Sequence, residues 1–417
     1  MIEQQKQYSP DAFIAVRIPE FRYLVTGRFA FVMALRMLTT LLGWWIYNLT
    51  NAPFAIGLIG LSEVVPAVSL ALYAGHVIDL SEKRKLLLRG TTLYFTAVVL
   101  LLILSTKNTT HIFSNSTIAI LIYLIVFCTG IVRSFVGPVF NVILAQVVPK
   151  NILQNATTWN QGSYLSASVT GHALGGFLIA VLGNTGTFAV ITGLIAVAFF
   201  ILINIKPKPP LNERTEKKTW ESVKEGLNFV FKTKEILGAI SLDLFAVLFG
   251  GAVAMVPVFA RDILKVGSEG FGLLNGASDM GAICSVILLT AFPMRRKQGY
   301  KLLFAVFGFG VCIICFALSN LFVLSFIALL VSGMLDGISV VVRGTIMQLK
   351  TPDNMRGRVM SVNSMFINSS NEFGQFESGL MAKLMGVVPS VIFGGCMTIA
   401  VVIVTWFKAP TLRKMEY

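Results

Sequence analysis

The sequence predicts an all-α polytopic membrane protein with twelve transmembrane helices in two pseudo-symmetric six-helix bundles. Three observations lead there. Of 417 residues, 55% are hydrophobic and only 13% charged, with a mean hydropathy of +0.77. A soluble chain of this size carries roughly twice that charge. Apolar runs recur along the whole chain, and about twenty residues rising 1.5 Å each suffice to cross a bilayer as a helix. Finally, one stretch is written twice. Pro149, Asn151, Asn160, Gly171, Gly176 and Gly183 recur as Pro352, Asn354, Asn363, Gly374, Gly379 and Gly386, each pair 203 residues apart (352 − 149). One such match means little. Six in a single register, on segments of like hydropathy, indicate a duplicated half.

The elements follow in order. Before Arg22 lies a short arm, polar and mixed in charge, so no cleavable signal peptide is expected there. Apolar helices are predicted over 22–48, 54–75, 86–105, 117–144, 153–181, 185–204, 235–259, 269–292, 300–319, 321–343, 356–384 and 386–408. The polar connection 205–234 divides an N-terminal bundle, 1–204, from a C-terminal bundle, 235–417. It opens with KPKPP at Lys206–Pro210, which stops helix 6. The amphipathic piece TWESVKEGLNFVFK follows, expected to lie as a helix on the inner membrane face.

Charge distribution orients the bundle. With the N-terminus inside, every loop lysine and arginine falls on the cytoplasmic side except Lys107, Arg261, Lys265 and Lys383. Four more, Arg28, Arg36, Arg133 and Arg343, lie within spans. By the positive-inside rule this predicts an integral plasma (bacterial inner) membrane protein with both termini cytoplasmic. It also accounts for the net charge of +14: the basic residues meet anionic lipid, and no nucleic-acid partner is implied.

Helix 11 is not an ordinary lipid-facing span. Ser361, Asn368, Glu372, Gln375 and Gly379 share one side at helical spacing, and Asn363, Ser370, Gly374 and Glu377 the other. Between them runs an apolar stripe of Val362, Phe366, Phe373, Phe376 and Leu380, which suits lipid. The polar sides require helix partners or a wet cavity, because unpaired polar groups in hydrocarbon are costly.

Composition and motifs argue against an enzyme. The sequence holds no His/Cys/Asp metal cluster, nucleophile elbow or phosphate-binding glycine loop. The five cysteines sit in apolar runs and read as small buried hydrophobes; Cys312 and Cys315 form a CxxC with no second ligand pair. No cofactor is expected, and without an ATP site the energy source is an ion gradient.

The turn Gly75–Leu87, GHVIDLSEKRKLL, carries the most specific short signal. Gly75 lets helix 2 end tightly, Asp79 can lie against a helix N-terminus or an arginine, and the KRK cluster anchors to lipid phosphate. This resembles the loop motif of the major facilitator superfamily, with Leu80 at the usual arginine and Glu82 at the second glycine. WWIYNLT (Trp44–Thr50), SLDLFAVLFGGAVAMVPVFARDIL (Ser241–Leu264) and QLKTPDNMRGRVMSVNSMFINSSNEFGQFESG (Gln348–Gly379) resemble that superfamily's exporter branch, which includes the enterobactin (siderophore) exporters. The likeness spans nearly the whole chain. It implies a central cavity, alternating access and proton-coupled export of small organic molecules. It further implies a conformational latch at Gly75, Asp79, Lys83 and Arg84, with Arg356 and Arg358 between helices 10 and 11; a basic loop with one incidental acid is the competing reading, and the equivalent second-half turn, PMRRKQGYKLL, has the basic cluster without the aspartate.

Ionisable residues deep in spans are candidates for proton coupling or the substrate cavity, with structural pairing as the alternative. They are Asp243, Glu63 and Glu372 first, then Arg133, Asp336, Asp279, Arg36 and His172. Arg133 and Asp336 are again 203 apart, opposite charges at equivalent places on helices 4 and 10. Glu63 and Asp279 occupy near-equivalent places on helices 2 and 8. TGHALGG in helix 5 resembles an exporter glycine motif, but Ala167 replaces its first glycine and His172 its proline. A packed hydrogen-bonding histidine is the plainer reading of His172. Trp44, Trp45 and Tyr47, at the outer end of helix 1, are explained by interface anchoring or by substrate stacking. Asn141, Gln146, Asn155, Asn160 and Gln161 make the helix 4–5 region polar.

The function expected is export of siderophore- or drug-like molecules by alternating access with proton antiport. An uptake or lipid-moving permease of the same fold, or a non-transporting sensor, are the alternatives. The partners expected are a small organic substrate, protons and membrane lipids, with the chain a monomer.

Overall fold

A computed structural model describes residues 12–208, 219–292, 297–352 and 355–416. Asn354, the basic residues Arg295 and Arg296, and linker positions 209–218 lie outside them. Among the described residues the secondary structure is helical, with no strand. Spans 1 to 4 are Pro19–Thr50, Pro53–Leu80, Lys83–Leu104 and Asn115–Val147. Spans 5 and 6 share the run Leu153–Leu202. Span 7 is Lys234–Phe249, continued by short turns to Ile263. Spans 8 to 12 are Gly267–Ala291, Gln298–Leu318, Phe322–Lys350, Arg356–Met385 and Val387–Lys408. Among the described residues, ten helical runs are long and apolar enough to cross a membrane. One of them holds two spans, and span 11 is too polar to be among the ten, so the bundle has twelve.

Local chemistry sets the ends. Pro19 and Pro53 open spans 1 and 2, where a missing N–H costs nothing. Asn51 closes span 1 in the left-handed region. The Ser114 side chain caps span 4 by accepting from the Thr117 N–H. The turns between spans 5 and 6 and between spans 11 and 12 pivot on Gly183 (φ 65°) and Gly386 (φ 91°), a backbone region that glycine alone enters freely. These glycines are one of the six repeated pairs.

Several boundaries differ from expectation; span 10, for one, runs on from 343 to Lys350. Span 2 does not stop at Gly75 but continues to Leu80, because a glycine in open space is tolerated inside a helix. The stop comes at extended Ser81, and Glu82 starts span 3 by accepting from the Arg84 and Lys85 N–H groups. Span 7 is broken after Phe249. A Cβ on Gly251 would lie 2.7 Å from the Gly374 carbonyl oxygen, so Gly251 permits close approach to span 11, as Gly250 does to Phe309 of span 9, and the pair releases the helix there.

Glycines also place the helices. Gly171 of span 5 meets the backbone of Met33 on span 1, and its repeat partner Gly374 meets Val247 on span 7. Between the two bundles, span 5 packs on span 8 through Gly176 and Gly272, and span 2 on span 11 through Gly57 and Gly379. Both are backbone-to-backbone contacts that a larger side chain would prevent.

Twelve spans put both chain ends on one face, called here the terminal face. At the far face the largest core cluster draws on both bundles, from Trp45 and Phe188 to Phe259, Phe271 and Phe316. Toward the terminal face the core divides. One cluster, around Phe21, Phe140 and Leu202, belongs to the first bundle; another, around Leu242, Leu302 and Leu412, belongs to the second. The bundles are joined at the far face and have separate cores at the other, where Asn141 and Gln161 are exposed.

The amphipathic linker segment is a helix, Thr219–Lys232. Leu227 and Val230 bury against Ile236, Val359 and Val362, docking it on the terminal end of span 11. The cysteines are less buried than expected: Cys128, Cys315 and Cys396 are exposed, as small apolar residues on bilayer-facing helix surfaces.

Candidate transport site

Two polar junctions cross between the bundles near the middle of their helices. In the first, Arg133 of span 4 donates to Glu63 of span 2 (2.6 Å) and to Glu372 of span 11 (2.7 Å). Gln375 Nε2 donates to the second Glu372 oxygen at 3.0 Å. The sequence places these groups here for a steric reason. Gly130 lets span 4 approach the Glu63 carbonyl, and Gly60 lets span 2 approach the Glu372 carbonyl. One guanidinium therefore faces two carboxylates, one from each bundle. The Glu372 side chain is 9% exposed but that of Arg133 is 40%, so the cluster is open on one side.

The second junction joins span 5 to span 8. His172 Nδ1 lies 2.8 Å from Thr40 Oγ1 and its Nε2 3.7 Å from Asp279 Oδ2. Ser168 Oγ donates to the same carboxylate oxygen. His172 is buried and held by partners on two other helices, matching the plainer reading of its sequence context.

Between them stands a cationic wall of the first bundle. Arg36 donates to the Tyr164 hydroxyl at 2.6 Å. Arg28 donates to Asn160 (2.8 Å) and Asn141 (3.3 Å), and its guanidinium lies 5.4 Å from the Phe140 ring centroid and 5.7 Å from that of Tyr164. Neither arginine has a carboxylate within ion-pair distance among the described residues. In the second bundle, Arg343 of span 10 pairs with Asp243 of span 7, both side chains almost wholly buried. Asp336, half-buried, makes no hydrogen bond or ion pair among the described residues. Arg133 and Asp336, although equivalent in sequence, are thus used differently.

The far face carries a contact that the sequence did not reveal. Tyr47 of span 1 donates to Asp262 of span 7. Arg261 donates to Asn48 (2.9 Å) and Asn51 (2.8 Å) and stacks 4.1 Å over the Tyr47 ring. Trp44 stacks on Phe271 of span 8 at 5.6 Å, and Trp45 meets Phe188. Tyr47 and Trp44 therefore close the seam between bundles instead of anchoring at the lipid interface, while Trp45 packs within the first bundle. An aromatic end-of-helix cluster looks the same in sequence either way. Thr40, Ser168 and Tyr164 were likewise missed, since hydroxyl residues on apolar helices carry no distinguishing pattern.

In the terminal-face turn Lys83 and Arg84 of the basic cluster are held by protein carbonyls and not by lipid phosphate. Lys83 is fully buried and donates to the Ile78 and Ser81 carbonyls, so it does not reach lipid phosphate. Arg84 donates to the Ile203 carbonyl at the end of span 6, at 2.7 Å. Glu82 accepts from the Lys208 N–H as well as from its own helix. These bonds tie the turn to the first bundle and the linker. A Cβ on Gly75 would meet no other element within 4 Å. In the second half, Arg358 pairs with Glu225 of the linker helix. The side chains of Asp79 and Arg356 lie outside the described ones.

Two six-helix bundles, joined at one face with buried charge between them, define a membrane transporter of the major facilitator type, not an enzyme. Residues 11–417 match the family described as Transmembrane secretion effector, and the chain belongs to that family. It is similar to the uncharacterized MFS-type transporter YfmI of Bacillus subtilis (strain 168), 22% identical over 84% of this chain and 88% of that one. It is also similar to the enterobactin exporter EntS of Escherichia coli O81 (strain ED1a), 24% identical over 82% of this chain and 80% of that one. Among solved structures, the nucleoside transporter NupG superposes with a TM-score of 0.70 at 12% identity, covering 93% of this chain and 99% of that one. A D-xylose–proton symporter superposes with a TM-score of 0.70 at 14% identity, covering 96% and 98%. At such identities the structures establish the fold alone.

Proposed function

We propose that the protein exports small organic molecules, siderophore- or drug-like, from the cytoplasm by alternating access, with protons moving in the opposite direction. The terminal face is then cytoplasmic, in a bacterial inner membrane, and the chain works as a monomer of two moving bodies, 1–204 and 235–417, linked through 205–234. The described conformation would be open to the cytoplasm.

The carrying observation is Arg133 held between Glu63 and Glu372. With both carboxylates ionised the cluster has one net negative charge, and a single proton cancels it. Because the carboxylates belong to opposite bundles, protonating Glu372 weakens the bond that crosses the seam. Proton occupancy and the grip between bundles are then one variable, which is what coupled transport requires. Asp279 of the second bundle also meets His172 and Ser168 of the first across the seam. Arg36 and Arg28, with Tyr164 and Phe140, offer a cationic aromatic wall to a substrate in the cleft. The similarity to an enterobactin exporter supports the direction of transport.

The test compares small molecules retained by cells with and without the gene, then measures their uptake into everted vesicles under an imposed pH gradient. Glu63→Gln and Glu372→Gln should each abolish gradient-driven accumulation while leaving substrate binding intact. Gradient dependence unchanged in both variants would remove the coupling role.

A further inference from the structure

Span 11 presents three faces. Glu372, Gln375 and Gly379 meet spans 2 and 4, while Gly374 and Ser378 meet span 7. Phe366, Phe373, Glu377 and Leu384 share the third at helical spacing, so Glu377 stands in the apolar stripe and not on the polar side where the sequence put it. Leu384 is 68% exposed at the far end, where the bundles are closed on each other, so this face looks into the bilayer. The repeat agrees: Glu377 corresponds to Leu174, 203 residues earlier, an exposed apolar residue of span 5. Glu377 is a carboxylate where the fold calls for a hydrocarbon side chain.

It is not an isolated surface charge. A groove of about 450 Å³ runs between spans 2, 7 and 11, lined by Val68, Leu244, Leu248, Phe366 and Phe373, with Glu377 in its wall. That is room for a drug-sized molecule. The two serine hydroxyls of the lining, Ser369 and Ser370, donate to their own helix. Among the described residues Glu377 makes no hydrogen bond or ion pair. The groove thus combines aromatic faces, which attract cations, with one uncompensated carboxylate in a medium where charge demands a partner.

We propose that this groove binds a lipophilic monovalent cation taken from the bilayer, with Glu377 as its counter-ion and the phenylalanine faces as its walls. A neutral lipid tail would satisfy the walls and leave the carboxylate unpaired; an anion would be repelled. As a side access for substrate the groove depends on the export reading above; as a binding site it does not.

The test is equilibrium binding of tetraphenylphosphonium to the purified full-length protein in nanodiscs, with tetraphenylborate as the anion of like size and shape. Wild type should bind the cation saturably and at least tenfold more tightly than the anion. Losing a desolvated charge partner costs about 2 kcal/mol or more, so Glu377→Gln should weaken cation binding about thirtyfold, and Glu377→Asp should recover part of it. Leu248→Trp, which fills the groove but keeps the carboxylate, should also abolish binding and gives an independent result should Glu377→Gln fold poorly. No saturable binding to wild type, equal binding of both ions, or affinity within twofold of wild type in both variants would overturn the proposal. None of these outcomes bears on gradient-driven transport through Glu63 and Glu372, which the vesicle assay tests separately.

Discussion

The seam between spans 5 and 8 gives the sharpest prediction. A Cβ built on Gly176 lies 2.4 Å from the Ser268 carbonyl oxygen, 2.6 Å from Gly272 Cα and 2.7 Å from Gly272 N. All three obstacles are backbone, so no side chain can rotate away. Ordinary contact begins near 3.4 Å, and Gly176→Ala therefore requires these helices to part by about 1 Å. Overpacking of this kind costs about 1–3 kcal/mol. The cost falls on the far-face-closed conformation alone, which shifts the equilibrium toward far-face-open forms by about 5- to 150-fold. Double electron–electron resonance between spin labels at Asn115→Cys and Glu269→Cys, without the native cysteines, reads this as a growing long-distance population. Gly162→Ala, with nothing within 4 Å, is the control and should leave the distribution unchanged. An unchanged distribution in Gly176→Ala would refute the account of the seam.

Further outcomes are expected. Arg343→Ala strands the buried Asp243 carboxylate and should lower stability by about 3–5 kcal/mol, whereas Asp243→Leu with Arg343→Met should recover most of it; thermal unfolding in nanodiscs measures both. Tyr47→Phe removes one hydrogen bond at the far face, worth about 1 kcal/mol, and should move the same label distances in the direction of Gly176→Ala but less far. Arg358→Ala breaks the pair with Glu225 and should raise hydrogen exchange across Thr219–Lys232 without changing exchange in the spans.

Much of the site was legible as a set of residues and illegible as a set of pairs. Charges inside apolar helices are rare enough to be singled out by type alone, and this picked Glu63, Arg133, Glu372, Asp243, Asp279 and His172. Nothing in one dimension joins Arg133 to Glu372, 239 positions away, or says that Asp243 has a private partner in Arg343. The repeat put opposite charges at Arg133 and Asp336, yet Arg133 holds two carboxylates while Asp336 makes no ion pair among the described residues. The basic cluster misled for a related reason. Lys83 and Arg84 read as lipid anchors, yet the turn's own carbonyls and the end of span 6 satisfy them first.

The order of residues was enough to set the class, the number of spans and the duplicated halves. Each follows from a local requirement: backbone groups in hydrocarbon must be paired within a helix, and glycines must stand where two helices touch or a turn takes positive φ. Packing in three dimensions settled which face is closed, which carboxylates share an arginine, and that Tyr47 and Trp44 seal a seam between bundles. Those outcomes depend on how two rigid bundles lean on each other, and helical periodicity records which residues share a face but not what that face meets.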